Sequence, residues 1–116
     1  MTAGQCIFCR IAAGDIPAKI VAHDDDAVAF RDIDPKAPTH ILVIPRRHIA
    51  SARKLEPADA ALAGRLLLMA TSIAASEGIA DSGYRLVVNT GAEGGQSVDH
   101  LHVHLLGGRV MRWPPG

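Results

Sequence analysis

His100-Leu101-His102-Val103-His104-Leu105-Leu106 places three imidazoles at every second position, with aliphatic residues between them. Side chains alternate across a β-strand with a period of two. The stretch is therefore predicted to be a strand with His100, His102 and His104 on one face and Leu101, Val103 and Leu105 on the other. One face packs and the other is left for chemistry. A neutral imidazole serves as nucleophile, proton shuttle or metal ligand near neutral pH, and half of the chain's six histidines stand in this window. The plain structural alternative is a row of hydrogen-bonded histidines on a solvated strand.

The remaining elements decide what that strand can pair with. Cys6 to Ala13 reads as a short helical turn with Ile7, Phe8 and Ile11 at helical spacing, closed by Gly14. Ile20–His23 and Ala27–Phe30 flank the Asp24-Asp25-Asp26 turn as a hairpin, and residues 32–38, with prolines at 35 and 38, are a loop. His40–Pro45 is a buried strand and Tyr84–Asn89 another. Pro57–Glu77 is the one long helix, its buried stripe predicted at Leu62, Leu66, Met69 and Ile73. Strand pairs and a long helix without regular βαβ alternation indicate α+β, with a mainly antiparallel sheet. At 116 residues the expectation is one domain, 1–116.

Charge excludes some partners. Twelve basic and twelve acidic residues balance, and no basic stripe is present, which argues against nucleic acid. Residues 1–6, Met-Thr-Ala-Gly-Gln-Cys, lack the positive start and apolar stretch of a signal peptide. Arg65 interrupts the apolar segment 60–75, so no membrane partner is expected and a cytoplasmic location with reduced cysteines is.

Glycines at 91, 94 and 95, in the run Asn89 to Ser97, let the backbone turn just before the histidine row, a setting in which converging N–H groups bind phosphate oxygens. Asn89 and Ser97 add an amide and a hydroxyl. The middle ring, His102, has a histidine on each side about 7 Å away along an extended strand, from the rise per residue. It is the natural nucleophile toward phosphorus, with His104 as an oxygen donor. Cys6-Ile7-Phe8-Cys9 can supply two thiolates to one zinc, whose closed tetrahedral site takes two further ligands. Two small buried cysteines are the alternative, and a redox pair lacks the βαβ setting it usually has.

Taken together, the histidine row, residues 94–98, Thr39 to His48 and the terminal stretch from Gly107 to Gly116 resemble the histidine triad (HIT) family, and within it the Hint branch of purine nucleoside phosphoramidases. The resemblance implies a five-stranded sheet with one long and one short helix, and a homodimer whose sheets join into ten strands. It further implies hydrolysis of AMP–nitrogen or GMP–nitrogen bonds, and related P–O and P–S bonds, through a nucleotidyl-histidine without a catalytic metal. On it His102 is the nucleophile, His104 and Asn89 bind the α-phosphate beside Gly95 and Gln96, Ser97 assists the leaving group, and His40 supports the triad. Asp32 accepts the ribose hydroxyls, Ile7, Phe8, Ile11, Ile33 and Leu42 sandwich the purine, and Trp113 reaches the partner subunit's site. By resemblance to bacterial relatives that carry the cysteine pair, His48 and His100 complete a structural zinc site with Cys6 and Cys9. Two other readings are a zinc hydrolase using His100, His102 and His104 as ligands, and a nucleotide-binding interaction module with little turnover.

Overall fold

The computed structural model of the chain describes residues 5–116; the N-terminal reading at residues 1–4 lies outside them. The elements in order are α1 (Ile7–Ala12), β1 (Ile20–His23), β2 (Ala27–Arg31), β3 (Thr39–Pro45), α2 (Ala60–Ser76), β4 (Tyr84–Val87) and β5 (Val103–Gly107). Short 3₁₀ turns at Ala52–Lys54 and Pro57–Asp59 lead into α2, so the predicted helix enters through a tighter turn at its proline.

All strand pairs are antiparallel, in the order β1-β2-β3-β5-β4. The β1–β2 hairpin closes on Asp24, whose Oδ1 accepts from the N–H groups of Asp26 and Ala27, both at 2.8 Å. β3 is central, and all seven of its residues are buried. Because side chains alternate, β3 serves two cores. Ile41 and Val43, with Ala27, Ala29, Leu101, Val103 and Leu105, pack against Leu66, Ala70, Ile73 and Ala74 of α2. Leu42 and Ile44, with Val28 and Phe30, pack against Cys6 and Phe8 at α1.

The buried stripe of α2 differs in part from the prediction. Leu66 and Ile73 are buried, but Ala70 and Ala74 share the contact line while Leu62 and Met69 stand half-buried at its margin. Small residues let α2 lie close to the sheet. The helical stretch Pro57–Ser76 is long and apolar enough to cross a membrane by length and composition, yet here it is the helix that covers this core.

The histidine row is only partly strand. Regular pairing begins at Val103, and His100 to His102 lie in an irregular approach to β5. The alternation of faces holds all the same, since Leu101, Val103 and Leu105 all enter the core under α2. The rings of His102 and His104 tilt together to a centroid distance of 4.9 Å, closer than an extended strand would set them. β4 likewise stops at Val87, two residues short of the predicted strand.

Candidate functional site

The sheet order sets β3 beside β5, and this is what assembles the site. His40 pairs with Leu106 and Leu42 with His104 in the β3–β5 register, so His40 and His104 are diagonal neighbours on the face that carries α1. His40 Nε2 lies 2.9 Å from His104 Nδ1. His40 Nδ1 accepts from the Lys36 backbone N–H at 3.0 Å, which assigns the His40 proton to Nε2. His104 Nδ1 is then the acceptor and its proton sits on Nε2. That Nε2 is buried and is the one buried side-chain polar atom without a protein partner among the described residues. It is a donor waiting for an oxygen.

His102 has the opposite tautomer. Its Nδ1 donates to the His100 carbonyl at 2.7 Å, leaving Nε2 as a bare lone pair. Phe8 stands edge-on to this ring at 5.2 Å and holds it against α1. A free imidazole nitrogen and an imidazole N–H thus stand side by side on adjacent rings. Burial pushes the His104 pKa down to about 4, with the neighbouring His102 and His40 acting in the same direction. Burial lowers His40 as well, opposed by the Asp32 carboxylate 3.5 Å away. Both rings are therefore neutral at pH 7, as the hydrogen-bond chain requires.

Ile7, Phe8, Ile11, Asp32, Ile33, Leu42, Ser97, His102 and His104 come together around one largely apolar cavity of about 350 Å³. Phe30, Val98, Ile16, Pro17, Ala18 and Arg31 complete it, residues to which the sequence reading gave no role in a site. Asn89 lies apart from this cavity, in a second one that also has His40 in its lining and shares His104 with the first. The Gly95 and Gln96 N–H groups are committed inside their own loop, to Ala92 and Gly91 carbonyls at 3.1 Å each. The Gln96 side chain braces the loop by donating to the Ala50 and Val98 carbonyls and accepting from the Gly91 N–H. Trp113 is 82 % exposed on the C-terminal tail and lines neither cavity, although its neighbours Arg112 and Pro114 line the second.

The third histidine faces elsewhere. His100 Nε2 donates to the Pro45 carbonyl at 2.8 Å, which turns the lone pair of its Nδ1 toward Cys6 Sγ at 3.3 Å, Cys9 Sγ at 3.4 Å and His48 Nδ1 at 3.2 Å. His48 Nδ1 is also 3.2 Å from Cys9 Sγ. The N–N and N–S edges of a tetrahedral zinc site are about 3.3–3.6 Å, from the usual bond lengths. These four residues could hold a metal ion. Without one, burial and the adjacent Cys6 push the Cys9 thiol up to about 11, and a bound dication would have to displace that proton. Asp32, His40 and His104 form a second group with donor atoms close enough for an ion, though two of its contacts are the hydrogen-bond chain itself. Among the described residues no such group contains all three histidines of the row.

What the sequence could not indicate is mostly backbone. The Lys36 N–H and the carbonyls of His100 and Pro45 fix three ring tautomers, and main-chain groups carry no residue-type signal.

The HIT domain model matches residues 13–111. An uncharacterized HIT-like protein of Synechococcus elongatus is 54 % identical over 110 residues, covering 95 % of this chain and 96 % of that protein. Another, of a Synechocystis species, is 50 % identical over 114 residues, covering 98 % and 99 %. Among solved structures, a HIT family hydrolase from Legionella pneumophila superposes with a TM-score of 0.95 at 51 % identity, covering 97 % of this chain and all of that one. A histidine triad protein from Clostridium difficile gives 0.93 at 38 % identity, covering 97 % of each. The same sheet and the same domain model span nearly the whole chain, and the protein belongs to the HIT domain family.

Proposed function

We propose that the protein is a hydrolase of purine nucleoside phosphoramidates, cleaving AMP–nitrogen or GMP–nitrogen bonds through a nucleotidyl-histidine. The observation that carries this is the pair of opposite tautomers: a bare Nε2 on His102 next to an unpartnered Nε2–H on His104, at the end of an apolar cavity. The His102 lone pair attacks phosphorus. As the Nε2–P bond forms, the bond to the leaving nitrogen breaks, and that nitrogen takes the electron pair and a proton from solvent, a proton that the attacking water of the second step gives back. His104 Nε2–H donates to a non-bridging phosphate oxygen, where negative charge is held in the transition state. Water then attacks phosphorus and the Nε2–P bond breaks with its pair returning to His102. One water is consumed and one nucleoside monophosphate released. The cavity takes a flat base between Ile7, Phe8, Ile11 and Leu42, and Asp32 at its rim accepts the ribose hydroxyls.

Cys6, Cys9, His48 and His100 would hold a structural zinc. The donor set is closed, two thiolates and two imidazoles, so the ion would supply cross-linking of α1 to the sheet and no open coordination position for a water. A homodimer is part of the same reading. β4 is an unpaired sheet edge, and Val88 just beyond it and Leu67 and Leu68 on α2 are exposed apolar residues.

Mixing the protein with an adenosine phosphoramidate, quenching early and weighing the intact protein tests the reaction. One added AMP is expected on the native chain and none on His102→Ala. An adduct that survives without His102 overturns the assignment.

A further inference from the structure

His104 stands between two cavities of different character. The apolar one is described above. The other, of about 440 Å³, has only His104 in common with it and is lined also by His40, Lys36, Arg85, Arg109 and Arg112, with no Asp or Glu among its lining residues. The chain as a whole is neutral, so four cations around one opening are a local concentration.

Register places the central one. Arg85 pairs with Leu106 and Val87 with His104, which sets Arg85 on the same sheet face as the histidines. Its Nη2 donates to the Arg112 carbonyl at 2.8 Å, and Arg109 donates from Nε and Nη2 to the Lys36 carbonyl at 3.2 and 3.0 Å. Only Lys36 has a carboxylate, Asp34 at 2.5 Å. Among the described residues the three arginines have carbonyl partners or none, and no acidic partner, so their charge is uncompensated. A guanidinium with free N–H groups matches a carboxylate or phosphate in a bidentate fork.

We infer that this cavity receives the leaving group and selects an anionic one, an amine carrying a carboxylate or a phosphate. The inference rests on the phosphoramidase reading. With the nucleoside in the apolar cavity and phosphorus at His102 and His104, the cationic cavity is a second opening that shares His104. The anionic group takes no part in bond breaking. It is held while the P–N bond breaks and the nitrogen receives the electron pair and a proton.

Four substrates that differ only in the amine joined to AMP test this: a neutral alkylamine, aspartate, aminoethylphosphonate and lysine amide. For the native protein kcat/KM is expected to be about tenfold or more higher for the two anionic amines than for the neutral one, mostly through KM, and lowest for the cation. The ranking of aspartate against aminoethylphosphonate tells carboxylate from phosphate recognition. Arg85→Gln and Arg112→Gln should bring the anionic-to-neutral ratio toward one, Arg85→Lys should retain part of it, and Arg85→Glu should turn the preference toward the cation. A merely structural role for these arginines would lower all four substrates together and leave the ratio unchanged, which counts against the inference. Equal rates for charged and neutral amines, or a cation preference in the native protein, overturn it while the phosphoramidase reading stands. No turnover and no AMP adduct with any of the four overturns both.

Discussion

Each ring of the histidine row has its protons placed by a different main-chain or side-chain partner, and the roles divide along those partners. His104 matters most at this scale because it is both buried and neutral. An unfolded histidine titrates near 6.5, whereas burial holds the folded His104 down to about 4. Between those values the unfolded chain binds a proton that the folded chain refuses, so stability rises with pH there. His104 thus contributes no pH dependence above about 6.5, and its burden grows as pH falls toward 4. His40, and His100 in the metal-free chain, shift in the same direction for the same first cause. The urea midpoint of the metal-free protein is expected to be flat between pH 7 and about 8, where the raised Cys9 thiol does not yet matter, and to fall through the window from 6.5 to 4, with a shallower fall in His104→Gln; an equally steep fall in that variant would show that another group governs it. His104→Leu, which leaves no side-chain donor for the phosphate in the proposed reaction, should lower kcat by about 10²–10³, read by single-turnover kinetics with the adduct still forming slowly.

At the scale of elements, α1 and the loop before β5 position the site from opposite ends. α1 has only six residues, too short to hold itself, and Cys6 begins it by accepting the Cys9 N–H at 3.5 Å. If an ion joins Cys6 and Cys9 to His48 and His100, removing it with a chelator is expected to lower the thermal midpoint by several degrees while turnover per folded molecule persists; activity that vanishes from still-folded protein would instead point to catalytic metal. In the loop, a Cβ at Gly94 would sit 2.4 Å from the Thr90 carbonyl oxygen, which is backbone and has nowhere to go. Gly94→Ala should cost about 1–3 kcal/mol in chemical denaturation. A Cβ at Gly107 would meet the end of the Ile79 side chain at the same distance, and that end can swing aside, so Gly107→Ala should cost less. Most elements were legible from periodicity: the hairpin around Asp24, β3 and α2 fall within a few residues of their predicted bounds. The early part of the histidine row misled because a period of two only says which way side chains point, while here the Leu101 N–H goes to the Ile49 carbonyl and the His100 carbonyl to the His102 ring, so that pairing with β3 begins only at Val103.

For the whole molecule the informative fact is that one sheet separates two tasks. Its α2 face holds a dry core of aliphatic residues, and its α1 face holds Phe8, Phe30 and the histidines. Residue types foretold both faces, but the β3–β5 adjacency that brings His40 to His104 joins positions 64 apart, and no local pattern encodes a long-range strand partner. The same sheet has two edges, and they differ. β1 is staggered by an irregularity between Ile20 and Ala22, a feature that discourages pairing. β4 is regular along its pairing with β5, its residues are half-buried, and Val88 follows it at 42 % exposure. An edge of that kind offers unpaired main-chain groups to a second copy under the proposed dimer, and exposed Leu68 at 63 % offers apolar surface on α2. Sedimentation equilibrium is therefore expected to return twice the 12.2 kDa chain mass. Placing charge at both positions, Val88→Lys with Leu68→Glu, should raise the dimer dissociation constant by about tenfold or more, since a buried apolar side chain is worth about 1.5–3 kcal/mol. A native protein that sediments at the chain mass at micromolar concentration removes β4 as an interface.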